Sequence, residues 1–299
     1  MKSLVTGGAG FIGSNLVDFL LEKGHEVVAI DNESANNDSF YWNSNAINVK
    51  ADITDYESIK DYFKNVDYVF HLAAESRLQP AIENPIDAVY KNCVGTTVVL
   101  QCAREFAVKR FVYSSTSSGY GNNSWPNVET QPDDCLNPYS ASKVAAEKFC
   151  KMYYNLYGLE TVSLRYFNVF GERSPSRGQY APVVSIFQRQ KDNDESLTIV
   201  GNGSQKRDFV YVKDVAKANY LAATTNLDIN GKNYLGDVFN VGSGKNYFIK
   251  EIADLISINQ VNLPKRSGEM ETTLADIQKI SEVIGWKPET DVLEWIKSL

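Results

Sequence analysis

The stretch Thr6-Gly7-Gly8-Ala9-Gly10-Phe11-Ile12-Gly13 follows a short β-type run at residues 3–5 and opens a helical pattern over residues 11–22. Gly7, Gly10 and Gly13 stand at GxxGxxG spacing. Glycine at these points permits a tight turn, lets backbone N–H groups approach a pyrophosphate at a helix N-terminus, and allows close helix–strand contact. Turns collect glycine for other reasons, so context decides. A second β-type run at 27–31 ends in Asp31, 18 residues beyond Gly13, near the spacing of a ribose-binding carboxylate in a dinucleotide fold. Such a carboxylate accepts hydrogen bonds from the adenosine 2′-hydroxyl and repels a 2′-phosphate, so the expected cofactor is NAD and not NADP.

Outward from this turn, β-type runs recur at 46–49, 68–72, 111–114 and 161–167, with helical patterns at 56–63, 85–106 and 138–157 between them. This alternation predicts an α/β fold with a doubly wound parallel (Rossmann) sheet. After Phe170 the texture changes. Residues 171–181 are rich in Gly, Pro, Ser and Arg and read as a long functional loop. Strand-like runs follow at 198–200, 208–210 and 238–241, and helical patterns at 276–284 and 292–297. The expected division is a cofactor domain over 1–170, joined by parts of 208–244, and a smaller mixed α/β substrate domain over 171–299.

Composition narrows the function. A net charge of −7 argues against a nucleic-acid binder, which needs a basic face. Four cysteines without CxxC spacing and only two histidines make a zinc site or a disulfide scaffold unexpected. No apolar run reaches the ~18–20 residues that span a membrane, and the first apolar stretch breaks after two residues. The cytoplasm is the expected compartment.

At Pro138-Tyr139-Ser140-Ala141-Ser142-Lys143 a Tyr and a Lys sit four apart, on one face of a helix. Tyr56 and Lys60 share that spacing but lie in an acidic helix start. Tyr139 follows Asn137-Pro138, an N-cap and N1 pair, and lies 23 residues after Thr116, which closes a strand. Strand C-termini face the ligand crevice in such sheets. Phenol titrates near 10, so a base at neutral pH needs a neighbouring cation, which Lys143 and a nicotinamide would supply. Thr116, Tyr139 and Lys143 are the expected catalytic residues.

The chain at this point resembles the extended short-chain dehydrogenases/reductases, and within them the nucleotide-sugar epimerase/dehydratase family. The likeness runs from the glycine turn through Asp52-Ile53, His71-Leu72-Ala73-Ala74-Glu75-Ser76, Ser114-Ser115-Thr116, Tyr139 to Lys143, and Arg165-Tyr166-Phe167-Asn168. It continues through residues 201–210 to Leu274-Ala275-Asp276-Ile277. The resemblance implies cofactor contacts from Gly7, Gly10, Phe11, Ile12, Gly13, Asp31, Asn32, Asp52, Ile53, Leu72, Ala73, Ala74, Asn92, Ser114, Tyr139, Lys143 and Tyr166. It implies contacts to a UDP-sugar from Ser76, Thr116, Ser117, Asn168, Val200, Arg207, Arg266, Glu269 and Thr273. Asn168, Arg207 and Arg266 would hold the diphosphate, and Glu269 stands where the family usually has an Asp on the uridine ribose. No metal is expected. The resemblance also implies a homodimer through the helices at 85–106 and 138–157, paired into a four-helix bundle.

Epimerases and dehydratases of this family begin alike, with oxidation at C4 of the sugar. Similar dehydratases carry an Asp-Glu pair directly after the Thr, where this chain has Ser117-Ser118. Hydroxyls cannot replace a carboxylic acid and carboxylate in proton transfer at neutral pH, so a UDP-hexose 4-epimerase is expected. The segment 170–180 looks most like the UDP-N-acetylglucosamine 4-epimerase branch. Thr273 matches a gate position where small residues admit an N-acetyl group. Gly119 stands where relatives usually carry a larger residue, which predicts a different local pocket wall. A UDP-glucuronate 4-epimerase or another nucleotide-sugar dehydratase or reductase is the alternative on the same scaffold. A non-catalytic NAD sensor is a more distant one, disfavoured by the intact Tyr139/Lys143 pair.

Overall fold

The computed structural model describes residues 1–35, 40–177, 181–265 and 270–299. Strands β1 (Lys2–Thr6), β2 (Glu26–Asp31), β3 (Ile47–Lys50), β4 (Tyr68–His71), β5 (Arg110–Thr116) and β6 (Thr161–Tyr166) join one late strand, Val238–Val241, in a seven-stranded sheet. The order is β3-β2-β1-β4-β5-β6 with Val238–Val241 outermost beside β6, and every neighbouring pair is parallel. The expected doubly wound α/β sheet is therefore the observed one.

Alternate residues of each strand serve two cores, as the two-residue side-chain period of a strand requires. Val5, Val27, Ala29, Phe70 and Val112 face one core, shared with Leu16, Val17 and Leu20 of helix Phe11–Glu22 and with Ala218 and Ala222 of helix Val212–Thr224. Leu4, Val28, Ile30, Val69 and Phe111 face the other, shared with Leu100 and Ala146. Each large side chain buried this way contributes roughly 1.5–3 kcal/mol. Helix Pro138–Tyr157 begins where the sequence places it. The Asn137 side chain accepts from the Ser140 N–H at 2.9 Å, Pro138 takes the first helical position, and Gly158 closes the helix in the left-handed conformation.

Several elements differ from expectation. The helix expected over 85–106 divides into Pro85–Val89, a π-helical stretch Tyr90–Gly95 and Thr96–Glu105, and a short helix Leu78–Glu83 precedes it. The pattern at 56–63 resolves into Tyr56–Ile59 and a 3-10 turn, Lys60–Phe63. Helices Val183–Asp192, Val212–Thr224 and Ile249–Ile256 were not read from the sequence. The smaller C-terminal unit gathers Phe170, Phe187, Leu197, Ile199, Phe209, Ile252 and Ile296 into a third core. It carries the strand pair Leu197–Val200 with Gln260–Leu263, and a three-stranded sheet of Asn246–Phe248, Lys206–Tyr211 and Asn168–Phe170. Among the described residues no helix is long and apolar enough to cross a membrane.

Candidate active site

A cleft of about 570 Å³ opens at the C-terminal ends of β1, β2, β4 and β5, the edge at which open parallel sheets bind ligands. Every residue expected on the cofactor lines it except Asn92. Gly7 adopts φ +69°, and a Cβ there would lie 2.8 Å from the Ala73 nitrogen. A Cβ on Gly13 would lie 2.0 Å from the Gly7 carbonyl oxygen. Only glycine allows strand, turn and helix to meet so closely. The helix that starts here has no side-chain cap and no acidic residue in its first turn, so its N-terminal N–H groups and positive dipole end suit a pyrophosphate.

At the far end of the cleft, the Asp31 carboxylate accepts from the Glu33 N–H at 2.7 Å and the Ala9 N–H at 3.1 Å. Burial pushes its carboxyl above the ordinary value, with those two bonds opposing. Each oxygen keeps a lone pair for a ribose hydroxyl. Asn32 donates to Asp52 at 2.8 Å. The Asp52 carboxyl is held below its ordinary value: burial works upward, and is outweighed by bonds from Thr54 and Asn32. These features fit an NAD adenosine.

At the opposite end, Thr116, Tyr139 and Lys143 come together as expected. The Thr116 hydroxyl sits beside the Tyr139 phenol and accepts from the Ser118 N–H at 3.1 Å. Burial pushes the phenol above its ordinary value, and the neighbouring Thr116 hydroxyl opposes that shift. Lys143 is 4% exposed, and burial pulls its ammonium down to about 8. Without a further positive charge Tyr139 therefore rests as a phenol. A bound nicotinamide cation is the group that would stabilise its phenolate.

A buried ion pair holds this constellation in register. Glu147, one turn beyond Lys143, accepts from Nε and Nη2 of Arg165 at 2.8 Å each, and from the Ser115 hydroxyl. Arg165 also reaches Asp133 at 2.8 Å and stacks over the Tyr120 ring at 4.6 Å. Helix Pro138–Tyr157 is thereby pinned to β5 and β6, which fixes Tyr139 against Thr116.

Asn92 sits behind the wall instead of on it. Its amide accepts from the Glu75 N–H at 2.8 Å and donates to the Glu75 carbonyl at 3.0 Å and the Ser142 hydroxyl at 2.9 Å. It ties the 74–76 loop to the catalytic helix, from within the π-helical stretch. Ser76 lines the cleft, and beside it Arg77 grips Glu75 with two bonds, at 2.9 and 2.8 Å.

The expected UDP-sugar residues divide. Ser76 and Thr116 line the cleft, whereas Ser117 is buried beside it. Asn168 donates to the Asp208 carbonyl at 2.8 Å and the Thr273 hydroxyl at 3.2 Å. Arg207 donates to the carbonyls of Lys206 and Glu271 at 3.1 and 3.2 Å. Val200 ends the strand paired with Gln260–Leu263. These three and Thr273 stand outside the cleft lining. Arg266 and Glu269 lie outside the described residues. Thr273 is 2% exposed, so its side chain is committed to packing. The pocket-wall expectation for Gly119 is corrected: a Cβ there would meet Val144 at 2.6 Å, against the helix and away from the cleft.

Arg77, Lys91, Pro175 and Arg177 also line the cleft and were not singled out from the sequence. Pro175 and Arg177 carried a signal, their place in the Gly/Pro/Ser/Arg-rich segment 171–181. Arg77 and Lys91 belong to no motif, and the turn of the chain alone brings them in. Among the described lining residues the carboxylates are Asp31 and Asp52, both at the adenosine end.

Residues 3–242 match the model of the NAD dependent epimerase/dehydratase family. A protein of Methanocaldococcus jannaschii is 40% identical over 98% of this chain and 95% of its own length. The UDP-glucose 4-epimerase of Thermotoga maritima, solved with UDP-glucose, superposes with a TM-score of 0.92 at 34% identity, covering 99% of this chain and 96% of that one. The UDP-N-acetylglucosamine 4-epimerase of Methanobrevibacter ruminantium M1, solved with UDP-N-acetylmuramic acid, gives 0.88 at 34% identity, covering 99% and 98%. With this likeness over nearly the whole length, and with a glycine cradle and a Thr/Tyr/Lys constellation at one sheet edge, the chain belongs to the NAD dependent epimerase/dehydratase family and takes NAD as its cofactor.

Proposed function

We propose that the protein is a UDP-hexose 4-epimerase, acting on the UDP-N-acetylglucosamine/UDP-N-acetylgalactosamine pair, the UDP-glucose/UDP-galactose pair, or both. The observation that carries this reading is the meeting of Thr116, Tyr139 and Lys143 at one end of the cleft, in a catalytic end that holds no carboxylate among its described lining residues. Tyr139 as phenolate takes the C4 hydroxyl proton, and Lys143 stabilises the phenolate. Thr116 hydrogen-bonds the C4 oxygen and passes its proton to and from Tyr139. NAD, which the glycine turn, Asp31 and Lys143 would hold, would supply a reversible hydride acceptor for C4 of the sugar. Tyr139 then gives its proton back, so no reductant is consumed. Elimination of water between C5 and C6 would need a carboxyl acid–base pair, and Ser117 and Ser118 supply none.

A second reading, a UDP-glucuronate 4-epimerase, draws on Arg77 and Arg177 in the cleft wall as cations for a uronate carboxylate. The functional unit in this reading is a homodimer. Ile86, Val89, Tyr90 and Val94 on one helical segment and Met152 and Leu156 on the other are exposed apolar side chains. The same two helical segments carry a shallow apolar groove that includes Val94, Val98 and Phe149, and exposed apolar surface of this kind pairs helices across a two-fold axis.

The deciding experiment incubates purified protein, without added NAD, with UDP-N-acetylglucosamine, UDP-glucose and UDP-glucuronate in turn, followed by proton NMR. A C4 epimer without net NADH is expected, and relative rates name the sugar. Accumulation of a 4-keto-6-deoxy sugar would mean dehydration instead. No epimer even with NAD supplied would end the epimerase reading.

A further inference from the structure

Asp208 is wholly buried, faces no cation in its hydrogen-bonding set, and has no part in the chemistry above. Its carboxylate accepts four hydrogen bonds. One oxygen takes the Ser243 N–H at 2.6 Å and the Ser243 hydroxyl at 2.8 Å. The other takes the Gly244 N–H at 3.1 Å and the Ala275 N–H at 2.9 Å. A carboxylate can satisfy four converging donors because it is acceptor-only, and no neutral side chain of this shape can.

The same residue acts through its backbone. Its carbonyl accepts from the Asn168 amide at 2.8 Å, and its N–H donates to the Thr273 hydroxyl at 3.1 Å, which also accepts from Asn168 at 3.2 Å. The segment 271–276 is thus held along strand Lys206–Tyr211, with Lys206 N–H on the Glu271 carbonyl and Thr273 N–H on the Lys206 carbonyl. Its other edge is tied to the larger unit: Asn127 N–H bonds the Leu274 carbonyl, Asp276 N–H bonds the Asn127 carbonyl, and the buried Asn240 amide bonds the Asp276 carbonyl at 3.1 Å. This segment bridges the two units of the fold, and Asp208 is where loop 243–244, Asn168 and residue 275 meet. Close packing adds to the fit, since a Cβ on Gly242 would lie 3.0 Å from the Asp208 carboxylate.

We propose that Asp208 is a positioning residue for the nucleotide-sugar: its carboxylate clamps segment 271–276 and loop 243–244 so that Asn168 and Arg207 are set for the diphosphate. This rests on the UDP-sugar reading of the cleft. Asp208 touches no reacting atom. Its removal therefore weakens nucleotide binding while leaving the cofactor cradle intact.

The test uses the full-length protein with NAD, and the variants Asp208→Asn and Ser243→Ala. Asparagine presents an NH2 to N–H donors and breaks about half of the clamp. Ser243→Ala removes one of the four bonds to the carboxylate, together with the hydroxyl's contacts to the Lys245 backbone, without leaving a buried charge unmatched, and serves if Asp208→Asn does not fold. UDP and NAD affinities are measured by titration calorimetry, and backbone exchange over 271–276 by hydrogen–deuterium exchange. We expect Asp208→Asn to raise the UDP Kd at least tenfold and Ser243→Ala severalfold, with faster exchange over 271–276 and NAD Kd within twofold. In turnover, KM rises more than kcat falls. UDP affinity within twofold of the parent in both variants overturns the proposal, as does an NAD affinity that falls as far as the UDP affinity. If the parent protein binds NAD but no UDP, the UDP-sugar reading itself fails, and the positioning role falls with it.

Discussion

The Lys143 ammonium lies 4.5 Å from the centre of the Tyr113 ring, and among the described residues no carboxylate pairs with it. A cation buried against an aromatic face keeps only part of the stabilisation that water gave it. The native ammonium accordingly titrates at about 8, against 10.5 for an ordinary lysine. Between those values the unfolded chain holds more protons at this site than the native one, so this group makes stability rise with pH through that window. The penalty is fully present below about 8, on the order of 3 kcal/mol. Lys143→Met should therefore unfold at equal or higher urea concentration than the parent at pH 7, the advantage closing by about pH 10.5, while kcat falls at least ~100-fold. A clear loss of stability at pH 7 would contradict the buried-cation account.

Tyr139→Phe keeps the ring and removes only the hydroxyl that meets Thr116. Its kcat should fall by roughly 10²–10⁴, the usual share of general acid–base catalysis, with NAD affinity within a few-fold. Epimerisation followed by NMR and NAD titration give the two numbers. A drop of less than tenfold would remove Tyr139 from the role of base.

A methyl group on Gly13 would meet the Gly7 carbonyl oxygen at 2.0 Å. Gly13→Ala must push helix and turn apart, at a cost of about 1–3 kcal/mol, and should weaken NAD binding more than ~100-fold. NAD affinity unchanged in a folded variant would show that the dinucleotide does not rest on this turn.

Glu147 and Arg165 are both almost fully buried and bonded twice to each other. Glu147→Gln leaves the buried guanidinium with Asp133 as its one remaining carboxylate partner, and breaking such a buried pair costs about 3–5 kcal/mol. Equilibrium urea unfolding reads that loss directly. A change below about 1 kcal/mol would mean that Asp133 and the Tyr120 ring hold Arg165 unaided.

Leu156 is 66% exposed and Val94 41%, on the two helical segments of the proposed dimer. The double variant Val94→Arg, Leu156→Glu should sediment as a monomer where the parent sediments as a dimer, with the NAD site retained. A parent protein that is monomeric at micromolar concentration would dismiss the dimer.

The sequence by itself determined the features that depend on neighbours a few residues apart. The glycine turn, the Asn137-Pro138 start of the catalytic helix, the Tyr139/Lys143 face and the alternating strands all follow from local geometry, and the structure places them as read. Only the tertiary structure decided the rest, because those features are contacts between distant parts of the chain. Asn92 looked like a cofactor ligand but meets Ser142, 50 residues away. Asp208 had no assigned role until Ala275, 67 residues on, donated to it. The helix read as one piece over 85–106 contains a π-helical stretch that carries Asn92 into its hydrogen bonds, which no periodicity announces. Thr273 shows the same limit: its small size was legible, whereas its burial against Asn168 was set by how segment 271–276 crosses the fold. A side chain's type and local spacing are written in the chain. Its partners are chosen when burial makes every distant polar group find one.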